Sequence, residues 1–344
     1  MNKLVIAATH QGSGKTDIIV GIGKASGKKI GYLKPFGNKL RYDKKRLWDY
    51  DAALMKSIFG LKEEPEELSI GFEHARLKYA YDAKTAREKV VAEMTKIGTG
   101  KELVFIEGGS NLTYGASIHL DIISLADYTK GRLVIVISGS EYDILDDILF
   151  IKKYVATKHI NFGGVIINKV ADVEDFKQTH LAEITEMGIK VLGVLPYEQE
   201  LTYLPVELLA DNLFAKVLTG REKLRGMIKT IFIGAMSATA AQQNLLFKKE
   251  KKLVITSGDR SDMILAALES DTACIILTNN ILPAANIVSK ASEANIPLLL
   301  VSWDTYDTVM RIHNIEPLLT KNDTEKIELL EKIVRKYIDL KELV

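Results

Sequence analysis

The apolar run at residues 3–7 leads without a break into Ala8-Thr9-His10-Gln11-Gly12-Ser13-Gly14-Lys15-Thr16, and a helix-patterned stretch follows over residues 15–25. No other feature limits the fold of this chain so strongly. Strand, glycine-bearing turn and helix in direct succession bring backbone N–H groups and the positive end of a helix to one point, which suits a phosphate. On that reading Gly12, Ser13 and Gly14 wrap phosphate oxygens, Lys15 reaches the β- and γ-phosphates, and the Thr16 hydroxyl ligates Mg²⁺. The expected ligand is a nucleoside triphosphate, ATP with Mg²⁺. Thr9 stands where the usual spacing of such loops has its first glycine.

The rest of the chain repeats the alternation. Short β-branched runs at residues 29–33, 103–106, 133–137, 164–167 and 190–194 read as strands buried on both faces. Residues 83–96 and 143–157 read as intervening helices. The fold class expected is α/β, a P-loop NTPase-type, mostly parallel sheet with helices on both faces. After Pro196 the pattern changes to a helix-rich exit at 201–219 and a charged junction at 221–229. A second strand series follows at 230–234, 252–256, 272–277 and 297–301. Residues 322–337 form an amphipathic helix capped by Asp323 or Thr324. The boundary falls near residue 215, within about ten residues. The domains are then 1–212 and 213–344, the second a smaller α/β domain that includes the C-terminal helix.

Charge and composition exclude several classes. Lys and Arg total 46 against 45 Asp and Glu, a net charge of +1, which leaves no overall electrostatic footprint for nucleic acid. The basic stretches 44–46 and 248–252 are short and read as solvated loops. No apolar run approaches the ~20 residues of a membrane span, and the start leaves no room for a signal peptide, so a cytoplasmic location is expected. Cys274, the lone cysteine, sits in an apolar strand-like run and reads as buried. His10, His74, His119, His159, His180 and His313 lack metal-ligand spacing, so no zinc is expected. Trp48 and Trp303 read as packing residues.

Further residues point to the same site. Lys34, before Pro35 at the end of the second strand, could approach the γ-phosphate. Glu107 closes an apolar strand before Gly108-Gly109, either as a Walker-B-like carboxylate for Mg²⁺ or as a solvated strand-end charge. Asp51 opens an apolar helical stretch and reads as an ordinary cap on its own. Asn168, before Lys169, could present its amide to a nucleobase. In the second domain Asp259, Arg260 and Ser261 follow a strand and precede a helix. There Arg260 either pairs with an anionic second ligand or forms an internal ion pair with Asp259 or Asp262.

Taken in order, Gly14-Lys15-Thr16, Gly31-Tyr32-Leu33-Lys34-Pro35, Asp51-Ala52, Glu107-Gly108-Gly109, Asn168-Lys169-Val170 and Gly193-Val194-Leu195-Pro196 make residues 1–212 resemble the dethiobiotin synthetase-like group of P-loop proteins. The resemblance implies Lys15 and Lys34 on phosphate as the catalytic cations. It also implies Thr16, Asp51 and Glu107 around Mg²⁺, Asn168 at the base, and a homodimer. Two departures matter: Ala8 stands at the family loop's leading glycine, and Phe36-Gly37-Asn38 replaces the family's pattern near the organic substrate. Gly234-Ala235-Met236-Ser237 and Ser257-Gly258-Asp259-Arg260-Ser261-Asp262 make residues 225–330 resemble a DRTGG domain. The pair of domains resembles the N-terminal region of long bacterial phosphate acetyltransferases, and the chain, ending at Val344, reads as that region without the acyltransferase domain. Two functions follow as expectations. One is a nucleotide-responsive regulatory protein acting on a protein partner through its DRTGG-like domain. The other is a ligase-type enzyme that phosphorylates a small carboxylate or carbamate with ATP.

Overall fold

The computed structural model describes residues 1–43, 46–155 and 160–344. Lys44 and Lys45 of the first basic stretch, Thr157 at the expected end of a helix, and His159 lie outside the described residues. The chain forms two compact units, Met1–Glu198 with Leu319–Val344, and Gln199–Leu318.

The first unit contains β1 (Asn2–Ala8), α1 (Lys15–Ser26), β2 (Ile30–Leu33), a hairpin of β3 (Leu40–Asp43) and β4 (Arg46–Asp49), then α2 (Tyr50–Phe59), α3 (His74–Ala80), α4 (Ala83–Gly98), β5 (Leu103–Glu107), α5 (Ile122–Thr129), β6 (Arg132–Ile137), α6 (Glu141–Val155), β7 (Phe162–Val170), α7 (Val173–Glu186) and β8 (Val191–Pro196). Six strands make one sheet in the order β2-β5-β1-β6-β7-β8, every pair parallel. Consecutive residues of β1, β5 and β6 are buried, so both faces are covered, as the unbroken apolar runs require. Strand β1 lies between β5 and β6, where the strand order reverses. Its C-terminal end therefore opens onto the crevice at which open parallel sheets bind ligands.

The second unit contains β9 (Leu204–Pro205), α8 (Val206–Asn212), β10 (Lys216–Thr219), β11 (Met227–Ile228), β12 (Thr230–Ile233), α9 (Ala238–Gln243), β13 (Lys252–Ser257), α10 (Ser261–Leu268), β14 (Thr272–Thr278), α11 (Ala285–Glu293), β15 (Leu298–Leu300) and α12 (Thr305–His313). Its sheet runs β10-β15-β14-β13-β12, parallel except for the β10–β15 pair. One core packs Phe232, Val254, Ile275 and Leu277 against α9, α10 and α11; the other packs Leu253, Ile255, Ile276 and Cys274 against α8 and α12. Cys274 is fully buried, and burial pushes its thiol well above the usual range. Trp303 packs against the second core under the Arg311 guanidinium.

Three expectations on organisation change. The chain divides by its contacts after Glu198 and not near residue 215. The exit read as helix-rich holds the end of a 3-10 turn (Gln199–Thr202), one α-helix, α8, and the short strands β9 and β10; the stretch read as a charged junction contributes β11, paired with β9 inside the second unit. The C-terminal helix α13 (Thr324–Tyr337), with the short α14 (Leu340–Leu343) behind it, belongs to the first unit. The reason is a close helix–helix contact: a Cβ on Gly21 of α1 would lie 2.5 Å from Val334 Cγ2 and 3.0 Å from the Leu330 carbonyl. Only glycine lets α1 and α13 approach so near.

Candidate functional site

The loop after β1 turns through Gly12 and Gly14, at φ 79° and 91°, into α1. Both are left-handed positions that other residues occupy at a cost. Gly14 is the N-cap, and no side chain caps the helix. Among the described residues no intramolecular hydrogen bond uses the N–H of Gly12, Ser13, Gly14, Lys15 or Thr16. These donors lie at the positive end of a helix twelve residues long, the place in a fold that accepts an anion. The Ser13 hydroxyl donates to the His10 carbonyl at 2.9 Å and braces the turn. Thr9 is buried, with its hydroxyl unpartnered among the described residues.

Lys15, the first residue of α1, is buried and has no carboxylate at ion-pair distance among the described residues. Burial holds its ammonium below the usual range; Glu107 opposes this, and Lys34 and Lys39 add to it. The Thr16 hydroxyl donates to Glu107 Oε1 at 3.2 Å, and the Tyr32 hydroxyl donates to Glu107 Oε2 at 2.7 Å. Both oxygens of the Glu107 carboxylate are thereby oriented. Burial raises Glu107 above the usual carboxylate range, against the pull of Lys34, so the solvated strand-end reading does not hold.

Lys34 is the centre of charge. Its ammonium bonds to Asp51 Oδ2 and lies 3.3 Å from Asp49 Oδ1 and 3.8 Å from Glu107 Oε1. Burial would lower Lys34, but Glu107, Asp51 and Asp49 outweigh it and raise its pKa above the usual range. Asp51 shows the complement: burial works to raise it, yet Lys34 and Lys39 hold it low. The helix cap is Asp49, whose carboxylate accepts the N–H groups of Asp51, Ala52, Asn38 and Lys39. Asp51, two residues on, is freed from capping to face Lys34 and Lys39, so the cap reading of Asp51 is corrected.

Asn168 and Lys169, on β7, lie against the loop. The Asn168 amide donates to the Ser13 carbonyl at 2.9 Å, and Lys169 Nζ donates to the Gly12 carbonyl at 2.7 Å. A Cβ on Gly14 would sit 2.4 Å from Asn168 Nδ2, so the contact itself requires glycine. The structure thus brings Gly12, Ser13, Gly14, Lys15, Thr16, Lys34, Asp51, Glu107 and Asn168 together. It adds Tyr32, Asp49, Lys39 and Lys169, which sequence reasoning passed over. Thr16 and the two carboxylates of Asp51 and Glu107 form a set of hard oxygen donors of the kind Mg²⁺ takes with phosphate oxygens and water. Among the described residues there is no group of three or more His, Cys, Asp and Glu that could hold a metal by itself.

In the second unit the turn Ser257-Gly258-Asp259-Arg260 links β13 to α10. Arg260 donates to both carboxylate oxygens of Asp262, Nε to Oδ1 at 3.0 Å and Nη2 to Oδ2 at 3.1 Å, and Nη2 also donates to the Met236 carbonyl at 2.8 Å. Of the two readings of Arg260, the geometry carries the internal ion pair, made with Asp262. A Cβ on Gly258 would meet the Ile281 carbonyl at 1.8 Å. No helix among the described residues is long and apolar enough to cross a membrane.

Comparison with known proteins agrees with this division. A family model described as an AAA domain matches residues 2–203, and one described as a DRTGG domain matches residues 208–315. Phosphate acetyltransferase of Pseudomonas putida is 25% identical over 365 residues, covering 98% of this chain and 51% of that protein. The enzyme of the same name from Nitratidesulfovibrio vulgaris is 24% identical, covering 99% and 51%. The chain spans about half the length of the curated relatives it matches. The CBS and DRTGG domains of the regulatory region of Clostridium perfringens pyrophosphatase, solved with the activator diadenosine tetraphosphate, align with a TM-score of 0.30 at 18% identity, over 55% of this chain and 83% of theirs. Through residues 2–203, more than half its length, the chain belongs to the AAA domain family in its dethiobiotin synthetase-like P-loop form, and it continues into a DRTGG domain.

Proposed function

We propose that the first unit binds ATP with Mg²⁺ and that the bound nucleotide governs how the DRTGG domain engages a protein partner. One observation carries the reading: a buried lysine without a carboxylate partner among the described residues opens α1, beside N–H groups that none of those residues uses. A buried cation of this kind is costly unless an anion meets it. The triphosphate supplies that anion, with Lys15 on the β- and γ-phosphates. Thr16, Asp51 and Glu107 would hold Mg²⁺ there, and the bound cation would neutralise developing charge on the phosphates. Asn168 acts first as a brace for the loop, and a base contact falls to the amide oxygen or the second N–H of the same side chain.

The DRTGG match and the relatives, phosphate acetyltransferases by name, support a regulatory role. The partner is accordingly an acyltransferase module of that kind, attached or separate. Two measurements test the reading. Lys15→Ala should weaken ATP binding by about a hundredfold or more in calorimetry; unimpaired affinity removes the site. Fast ATP turnover that appears only when a small carboxylate or amine is supplied would replace regulation with ligase chemistry.

A further inference from the structure

The carboxylates that suit a divalent cation are already occupied by an internal one. Lys34, 1% exposed, stands within 3.8 Å of Asp49, Asp51 and Glu107. We propose that the Lys34 ammonium is an intramolecular stand-in for the divalent cation: it holds Asp51 and Glu107 until the metal–nucleotide complex arrives, then moves to the phosphates. The site thereby takes the complex and rejects the free ion. This rests on the nucleotide reading above and adds an order of events to it.

The three carboxylates do not depend on Lys34 equally. Asp49 accepts four backbone N–H groups, so its charge stays compensated when the ammonium leaves. Among the described residues Asp51 then keeps Lys39 Nζ, at 3.6 Å, and Glu107 keeps two hydroxyl donors, from Thr16 and Tyr32. Departure of Lys34 therefore uncovers the two buried carboxylates that have oxygens to offer a metal. A bare divalent ion has to evict a buried, hydrogen-bonded ammonium, and the like charge of Lys15 opposes its moving toward the loop. The complex brings its own destination for the ammonium, the γ-phosphate. The exchange replaces one positive charge on the carboxylates by two, and the phosphates balance the surplus together with Lys34 and Lys15. That no three-acid metal cluster exists among the described residues agrees with a metal that needs phosphate oxygens to complete its shell.

The test uses Mn²⁺ as probe and the full chain, with protein-bound Mn²⁺ read by electron paramagnetic resonance. Without nucleotide, Lys34→Gln should bind Mn²⁺ at least about tenfold more tightly than the wild type, and Mn²⁺ alone should raise the Tm of the variant and not that of the wild type. Equal Mn²⁺ affinity in the two proteins overturns the proposal. If Lys34→Gln does not fold, the wild type decides: ADP, after correction for Mn²⁺ it holds in solution, should tighten protein-bound Mn²⁺ by about tenfold or more, and no tightening overturns the idea. A wild type that binds no nucleotide defeats the nucleotide reading instead. In that case the Lys34→Gln gain of Mn²⁺, measured without nucleotide, still judges the exchange.

Discussion

The turn after β1 and the turn after β13 occupy the same station in their units. Each leaves the C-terminal end of a parallel strand, passes a glycine and enters a helix with a basic residue at its start. What the cation faces is different. Lys15 is buried with no carboxylate partner among the described residues, and the acid of its own helix, Asp17, is pushed up to about 6 by burial, against the pull of Lys169 and Lys39. Arg260 lies in a fork-to-fork pair with Asp262, which the Arg260 hydrogen bond draws down to about 2. Topology alone thus places a cation where ligands bind, and a counter-charge two residues away decides whether it is available. The first turn is built with charge left over; the second is closed on itself.

The largest expected effect sharpens that contrast at the backbone. In Gly258→Ala the new methyl would strike the Ile281 carbonyl at 1.8 Å, a backbone atom with little freedom to yield. About 3 kcal/mol of destabilisation is expected, from overpacking rather than lost ligand contact. Calorimetric unfolding should show it, while ATP affinity at the first unit stays within about twofold. A matching loss of ATP affinity would mean the two turns are energetically linked.

How much of this was readable beforehand follows from which residues act locally. Lys15 and Thr16 follow a glycine-bearing turn between an apolar strand and a helix, and Glu107 ends an unbroken apolar run; residues in those places stand out. Tyr32 does not, because inside the strand Ile30–Leu33 it looks like one more core aromatic; only the fold puts its hydroxyl 2.7 Å from Glu107. Asp49 was hidden by the unrecognised hairpin of β3 and β4, which sets the helix start one residue after it and so makes Asp49 the cap. The amphipathic pattern of α13 showed a helix with one apolar face, but not what that face would cover. Nothing along the chain connects Leu330 and Val334 to Gly21, some three hundred residues apart; the contact exists only in three dimensions. Strand β10 was missed for a similar reason, since its four residues pair antiparallel with β15 far downstream.

A smaller effect concerns the acid of the first turn. Asp17 is half-buried, and its pKa is raised from 3.8 to about 6. The fold therefore binds this proton more tightly than the unfolded chain does. Stability from the group is full below pH 3.8 and is lost as the pH rises to about 6. Asp17→Asn should consequently be more stable than the wild type at pH 7.5, by about 1 kcal/mol after allowance for solvent screening, and no more stable at pH 3.5. Thermal melts at the two pH values check the sign. A variant that is less stable at pH 7.5 would show Asp17 to be paired in the manner of Asp262, and the two turns would then be alike.

The smallest effect belongs to the closed turn. Asp262 is half-exposed, so its pair with Arg260 is screened by water and salt. Arg260→Ala should lower stability by less than about 1 kcal/mol, including the bond to the Met236 carbonyl. The sign with pH is opposite to that at Asp17. A carboxylate drawn down from 3.8 to about 2 contributes stability above pH 3.8, and that contribution disappears as the pH falls through about 2. The gap between Arg260→Ala and wild type should therefore narrow on acidification and also in high salt. Inorganic pyrophosphate is the discriminating probe, because an arginine whose charge is met by Asp262 and whose Nε and Nη2 are engaged has only its Nη1 N–H groups left among the described contacts. If Arg260→Ala melts like the wild type at every pH yet loses pyrophosphate binding, the ion pair is a resting state that an anion opens. The second turn would then be a ligand site built on the same plan as the first.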